Sequence, residues 1–400
     1  MKSKIPPIST RRIVNLVTPE LAKKMLDFRF RIGVLHTGYP VLKEWHPVMP
    51  EGWGEFPAAP FKRSVVYRGN AETWAYSHHM TLEKFKGQYV VSWSNGFLHE
   101  DYVGQEVHYA TSTDGTVWSK PGVIVATPVA SKLVRNNAGL CAADGKLFCY
   151  VGVAKDFGRD VSAPGMVTLK EQHIRLDAYE TSDLRKWTHY ENLCESIYLF
   201  EGPRRTRNGR YICCGADLYD HHPMVLIWEN ASQLAGRPRV LRLPISKEGV
   251  DVDQVTWYQT DDGRMWMFIR DGSLSCRLGL MWSDDEGDTW SDQLFTNFPN
   301  TYSRAYAGRL SDGRYFIAGN NYDVFLDRRH LLLALSDDGL VFDRQYVLVG
   351  GDTTRRINGR HKEDGFHYPN CLVDGGRLLV TYSVNKEDIE VGVLDAKTLK

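Results

Sequence analysis

The chain has 400 residues with 49 basic and 49 acidic side chains, a formal net charge of zero, so electrostatics gives no reason to expect a nucleic acid or an anionic membrane as partner. Eleven Trp and twenty Tyr, with few long helical patterns, point to strands and also suit sugar binding, because pyranose faces lie on aromatic rings. Seven cysteines, an odd number without repeated spacing, argue against a disulfide framework.

The N-terminal MKSKIPPISTRR is charged and lacks an apolar run, so no signal peptide is expected. The expectation is a cytoplasmic protein, or a secreted or periplasmic one whose signal lies outside this chain. No stretch approaches the apolar length of a membrane span. Thr18-Pro19-Glu20 opens a short predicted helix, LAKKMLDF, with Thr18 as its cap and Pro19 in the first turn. A Pro-, Gly- and Trp-rich run from His36 to Phe61 follows, too rich in breakers for regular structure and read as a covering loop.

After Trp74 the chain becomes repetitive. A turn glycine followed by an alternating strand recurs at Gly87, Gly145, Gly209, Gly263, Gly313 and Gly376, at intervals of roughly 50 to 65 residues, the size of a four-stranded unit. Most of these glycines follow Asp or Asn, as hairpin turns with positive φ require. A second turn lies downstream: STDGTVW at Ser112, TSDLRKW at Thr181, SDDEGDTW at Ser283 and SDDGLVF at Ser336. Its Ser and Asp can bond the turn backbone, its glycine takes the left-handed position, and its aromatic ring packs between sheets. This second turn resembles the Asp-box of sialidase-like propellers, which marks a scaffold and no activity. The expected fold is all-β: one β-propeller spanning 1–400, with 1–70 as closing strand, helix and covering loop and 74–395 as blades. Its blades are four-stranded and antiparallel, and N- and C-terminal strands together close the ring. Six blades are countable, and a seventh contributed by residues 10–70 makes seven the expected number.

In a propeller the inner strands line a central funnel and loops at one end build the site. This places His78 and His79, Asn136 and Asn137, Arg204, Trp257, Arg304, Tyr306 and His367 as candidates, one group per blade. By strand alternation one histidine of the doublet is buried and the other exposed, and the two cannot be told apart. His99 follows Asn95-Gly96 in a loop, and Arg175 sits on a strand where an inward guanidinium needs an anion. No cofactor is required. A structural zinc would have to gather Cys194, Cys213 or Cys214, and His221 or His222, without a C-x-x-C pair to support it; calcium has no motif either. A poly- or oligosaccharide is the expected partner, and a monomer the expected state.

The stretch from Ser77 to Trp118 and the C-terminal HYPNCLVDGGRLLVTYSVNKEDIEV resemble propeller polysaccharide lyases of the ulvan lyase and rhamnosyl-glucuronate lyase type. That resemblance implies β-elimination at a uronate. Arg175 would neutralise the carboxylate, with His79 or His78, His99 and Tyr150 as acid–base groups. The alternatives are a propeller α-L-rhamnosidase, a sialidase, or a non-catalytic sugar-binding propeller. FRFRIG at Phe28 is similar to the sialidase Phe-Arg-Ile-Pro, with Gly33 in place of the proline.

Overall fold

The computed structural model describes residues 56–155, 173–219, 222–244, 252–271, 276–322 and 324–400. The predicted helix after Thr18, the FRFRIG stretch and most of the covering loop lie outside them.

The first described strand is β1 (Lys62–Tyr67). The first blade follows, with β2 (Tyr76–Phe85), β3 (Gln88–Gly96), β4 (Glu106–Ser112) and β5 (Gly122–Val125). The second has β6 (Leu133–Ala143), β7 (Lys146–Lys155), β8 (Arg175–Thr181) and β9 (Thr188–Glu195). In the third, the inner strand is broken into β10 (Ile197–Leu199) and β11 (Arg204–Arg205), both paired with β12 (Tyr211–Asp217), then β13 (Pro223–Trp228) and β14 (Arg239–Arg242). The fourth has β15 (Val252–Gln259), β16 (Met265–Asp271), β17 (Arg277–Ser283) and β18 (Leu294–Pro299). The fifth has β19 (Tyr306–Arg309), β20 (Tyr315–Gly319), β21 (His330–Ser336) and β22 (Arg344–Gly350). The sixth has β23 (Phe366–Asp374), β24 (Arg377–Val384) and β25 (Asp388–Asp395), with β1 as its outermost strand.

These are six antiparallel sheets among the described residues, and the expected seventh blade is not one of them. The reason is local. Residues 62–67 supply a single strand that hydrogen-bonds to β25, Lys62 opposite Val393 and Tyr67 opposite Ile389. That strand completes the sixth sheet and starts no other. Upstream, Ala58 makes only an isolated bridge to Val347. The inner strands neighbour one another in sequence order, and β2 packs against both β6 and β23, which brings the last blade beside the first.

Hydrophobic layers fill the spaces between sheets, so the middle strands are buried on both faces. Leu147, Cys149 and Val151 of β7 pack toward the first blade, whereas Phe148 and Tyr150 pack toward the third. All six inner-to-second-strand turns contain a glycine with positive φ. It falls at Gly87, Gly145, Gly209, Gly263 and Gly313, but at Gly375 rather than Gly376 in the last blade. The second turn behaves as its residues require. The Asp114 carboxylate accepts N–H bonds from Thr116 (2.7 Å) and Val117 (2.9 Å), and Ser112 Oγ accepts one from Gly115 (2.8 Å). At TSDLRKW the left-handed position is occupied by Leu184, φ 62°. These turns join third to fourth strands, at the end of the ring opposite the starts of the inner strands. Among the described residues no helix is long and apolar enough to cross a membrane.

Candidate active site

The histidine doublet is reorganised by a β-bulge. The pairing of β2 with β3 shifts between His78 and Thr81, and His79 adopts φ 53°, the left-handed region. A regular strand would send the two rings to opposite faces. The bulge instead brings them together, with centroids 4.6 Å apart and both side chains buried. The same device recurs. The β23 register shifts between His367 and Asn370 with Tyr368 at φ 53°, and the β15 register shifts between Asp253 and Val255 with Gln254 at φ 56°. Such bulges re-aim side chains next to functional sites, at a cost of about 1–3 kcal/mol each. Here they turn His79, Gln254 and Tyr368 toward the axis of the ring.

Tyr368 is the meeting point. Its ring lies 4.4 Å from that of His78, and its hydroxyl accepts hydrogen bonds from Arg270 Nη1 (3.1 Å) and Gln254 Nε2 (3.0 Å). Arg328 lies over its ring at 5.4 Å and Lys386 Nζ at 5.9 Å, while the Arg270 guanidinium stacks on Tyr302 at 4.3 Å. Arg304, also buried, interacts electrostatically with Tyr368, Glu201 and His79. Arg328 pairs with Glu363 (2.8 Å), and its Nη1 bonds His367 Nδ1 (2.8 Å). Arg304 has no carboxylate within ion-pair distance among the described residues. Its Nη2, His78 Nε2 and Gln254 Oε1 are buried with no protein partner. Buried polar atoms are nearly always satisfied, so three such atoms around one tyrosine mark where a ligand's polar groups or water would sit.

Beside them is a buried ion pair. Lys386 Nζ lies 2.6 Å from Glu100 Oε2; Tyr76 donates to Glu100 Oε1 at 3.1 Å, and His79 Nε2 lies 3.6 Å from the same oxygen. Burial alone would raise the Glu100 pKa, but Lys386 and His79 bring it down to about 2. Burial, with Lys386 and Arg304 nearby, lowers His79 to about 4 against the opposing pull of Glu100. Burial also holds His78 and His367 well below the usual histidine range. At neutral pH the site therefore contains neutral imidazoles and an ionised carboxylate. His78, His79 and Glu100 each present a ligand atom, all within 4.8 Å of one another, and this set could hold a metal ion. Lys386 already neutralises that carboxylate, so the ion pair supplies the charge a metal would.

Several sequence expectations are corrected by position. Tyr150 lies between the second and third blades, beside Trp228, and donates its hydroxyl to the Leu234 carbonyl (2.9 Å). Its strand is second in the sheet, so it cannot reach the axis. Arg175 is on a third strand, paired with Asp177 (2.9 Å) and Glu191 (2.9 Å), which supply the anion it needs. His99 stands on the rim, its Nδ1 accepting from the Arg360 N–H (2.9 Å) and its ring edge-on to Tyr102; the next residue, Glu100, reaches His79 instead. The zinc candidates do not gather either. Cys213 and Cys214 face different cores, Cys194 Sγ contacts the Glu195 carbonyl, and His222 Nε2 bonds the Leu243 carbonyl. His221 lies outside the described residues.

Other candidates are buried on or beside the inner strands. Asn137 Nδ2 donates to the His79 carbonyl (2.6 Å) and braces the bulge, while Asn136 Nδ2 bonds Asp101 (2.9 Å). Farther along, Arg204 pairs with Glu201 (2.8 Å) and is held between Trp257 (4.6 Å) and Tyr306 (5.1 Å). That end opens into a cavity of about 250 Å³ lined by Glu83, Glu201, Arg204, Tyr306 and Asn370, among others. Sequence reasoning missed Tyr76, Glu100, Arg270, Arg328 and Lys386 as site residues. The one signal available was a charged end on an otherwise apolar strand, as Arg270 and Asp271 form in MWMFIRD.

Residues 87–380 match the BNR repeat-like domain. The chain belongs to that family. No match was found among curated proteins. Solved structures similar to this BNR repeat-like chain include a Dyadobacter fermentans protein of unknown function, at 16% identity and TM-score 0.65, covering 84% of this chain and 98% of that one. The NanB sialidase of Streptococcus pneumoniae is similar at 12% identity and TM-score 0.62, covering 85% and 71%. The Trypanosoma rangeli sialidase in complex with sialic acid is similar at 15% identity and TM-score 0.60, covering 86% and 60%. At these identities the likeness is one of fold.

Proposed function

We propose that this propeller is a carbohydrate-active enzyme that cleaves a glycosidic bond beside a sugar carboxylate, and that it does so by hydrolysis. One observation carries the reading: the three buried arginines Arg270, Arg304 and Arg328 gather around Tyr368. Guanidinium groups bind planar carboxylates through paired N–H bonds, and Arg304 reserves an unpartnered Nη2 for such a ligand. Two donors converge on the Tyr368 oxygen, an arrangement that stabilises negative charge building there during reaction. In this reading Tyr368 faces the anomeric carbon, the arginines hold the carboxylate, and neutral His79, oriented by Glu100, moves the proton. The sialidases among the similar structures support hydrolysis as the reaction.

A second reading, β-elimination, is favoured by one feature. The hydroxyl of Tyr368 meets an amide, Gln254, where a hydrolytic tyrosine would need a carboxylate base, while neutral His78 and His79 lie beside the arginines. With the carboxylate neutralised, either imidazole could take the proton next to it.

The test is to incubate the protein with sialosides and with glucuronate-containing oligosaccharides, following reducing sugar and the ultraviolet absorbance of unsaturated uronate together. Reducing sugar without that absorbance is expected. Absorbance rising in step with cleavage would replace hydrolysis by elimination, and no cleavage of any acidic glycoside would sink both readings.

A further inference from the structure

The loop between β3 and β4 has two sides. Inward it delivers Glu100 to His79 and Lys386. Outward it presents Phe97 and Tyr102, 49% and 43% exposed, among the few large apolar side chains left in solvent in the described residues. Phe97 stacks on Trp74 with centroids 4.4 Å apart and planes 22° from parallel, and Tyr102 is edge-on to His99. Val129, 52% exposed, continues the strip onto the second blade. It approaches closely enough that a side chain at Gly104 would collide with Val129 and Phe97.

This exposure is fixed by the loop's anchors. The loop is tied down by Glu100 on Lys386, by Asp101 on Asn136, and by Gln105 Nε2 on the Arg135 carbonyl (3.1 Å). Its rings are therefore held in place before any ligand arrives, which reduces the entropy cost of binding. An aromatic strip on the rim, carried by the same short loop that delivers Glu100 to His79 and Lys386, has the position of a neighbouring subsite. Flat apolar rings are the surface on which a pyranose face packs.

We propose that Trp74, Phe97 and Tyr102 form a second sugar subsite, which takes the pyranose ring adjacent to the acidic sugar held in the funnel. The inference rests on the reading of the funnel as a carboxylate-sugar site and adds the prediction that the chain recognises an oligosaccharide rather than a single residue.

Calorimetry tests it without any need for turnover. The probes are methyl glycosides of N-acetylneuraminic acid and of glucuronic acid, and trisaccharides carrying the same acids at the non-reducing end. The matching trisaccharide should bind about tenfold or more tighter than its methyl glycoside, and Phe97→Ala with Tyr102→Ala should erase that difference while leaving methyl-glycoside affinity unchanged. Both side chains are half exposed, so the variants should keep the wild-type melting temperature. Equal affinity for short and long ligands, or equal weakening of both by the substitutions, overturns the subsite and leaves the funnel standing. Failure of every acidic ligand to bind the wild-type protein overturns the funnel reading and the subsite together.

Discussion

His79 combines an unfavourable backbone, a buried ring and a carboxylate at 3.6 Å, and nothing in core packing requires all three. His79→Asn keeps a residue that tolerates left-handed φ and removes the imidazole. It should lower kcat by about 10²–10⁴-fold, the range for losing a positioned acid–base group, with little change in the affinity for acidic ligands. Because burial and nearby cations lower His79 to about 4 in the ligand-free protein, the acid limb of kcat/KM should fall near that pH and not near 6.5. Arg304→Met should do the opposite, raising KM for the acidic substrate roughly tenfold or more while the variant still folds, because Glu201, the carboxylate it interacts with, stays paired with Arg204. The buried Glu100–Lys386 pair carries a different expectation. Removing one partner leaves a buried charge and should cost about 3–5 kcal/mol, so Glu100→Gln and Lys386→Met should each lower denaturant stability sharply. The double variant should be closer to wild type than either single one. Additive losses in the double-mutant cycle would show that the two side chains are not coupled.

The informative elements are the bulged inner strands. His79, Gln254 and Tyr368 occupy equivalent left-handed positions in the first, fourth and sixth blades, so one backbone device, repeated, converts a scaffold repeat into a converging site. In the second blade the register shifts between Asn137 and Gly139, Gly139 takes φ 141°, and there glycine is required for space as well as conformation. A Cβ would lie 2.0 Å from the Gly202 nitrogen. By contrast, a Cβ at Gly145, φ 75°, would meet nothing within 4 Å. Gly145→Ala should thus cost only the conformational penalty, about 1–2 kcal/mol, whereas Gly139→Ala must push two blades apart and should abolish soluble expression or lower Tm far more. Thermal melts of the two variants decide this directly.

Across the whole molecule, blades are held by apolar layers and the sixth sheet is completed by β1, distant in sequence from β25. A chain starting after Tyr67 would leave β25 as an open edge, and such edges aggregate. The pH dependence of stability is also a property of the whole. The unfolded chain takes up the His79 proton near 6.5, whereas the native state waits until about 4. Stability is therefore full above 6.5 and falls as pH drops toward 4, by up to about 3 kcal/mol from this residue. Glu100 works lower: its pKa is about 2 in the fold against 4.5 outside it, so its contribution is present above 4.5 and is lost as pH falls toward 2. Melting temperature followed from pH 8 to pH 3 should decline in two stages, and His79→Asn should shrink the upper one. A melting temperature flat between pH 6.5 and 4 would refute the buried neutral histidine.

The sequence by itself determined the all-β repeat, because turn glycines and Ser-x-Asp turns impose their conformations locally, through one residue's φ and a few backbone bonds. It also pointed to the His78–His79 doublet as a candidate group on the inner strand of the first blade. It did not determine the number of blades, since whether residues 62–67 start a sheet or finish one depends on β25, which lies more than three hundred residues away along the chain. Nor could it show that His79 turns to join His78, because strand alternation argues the reverse until a bulge intervenes. Arg270, Arg328, Tyr368 and Lys386 carry no shared spacing. They converge only because a closed ring brings the fourth, fifth and sixth blades to one axis, and that closure exists only in the tertiary structure.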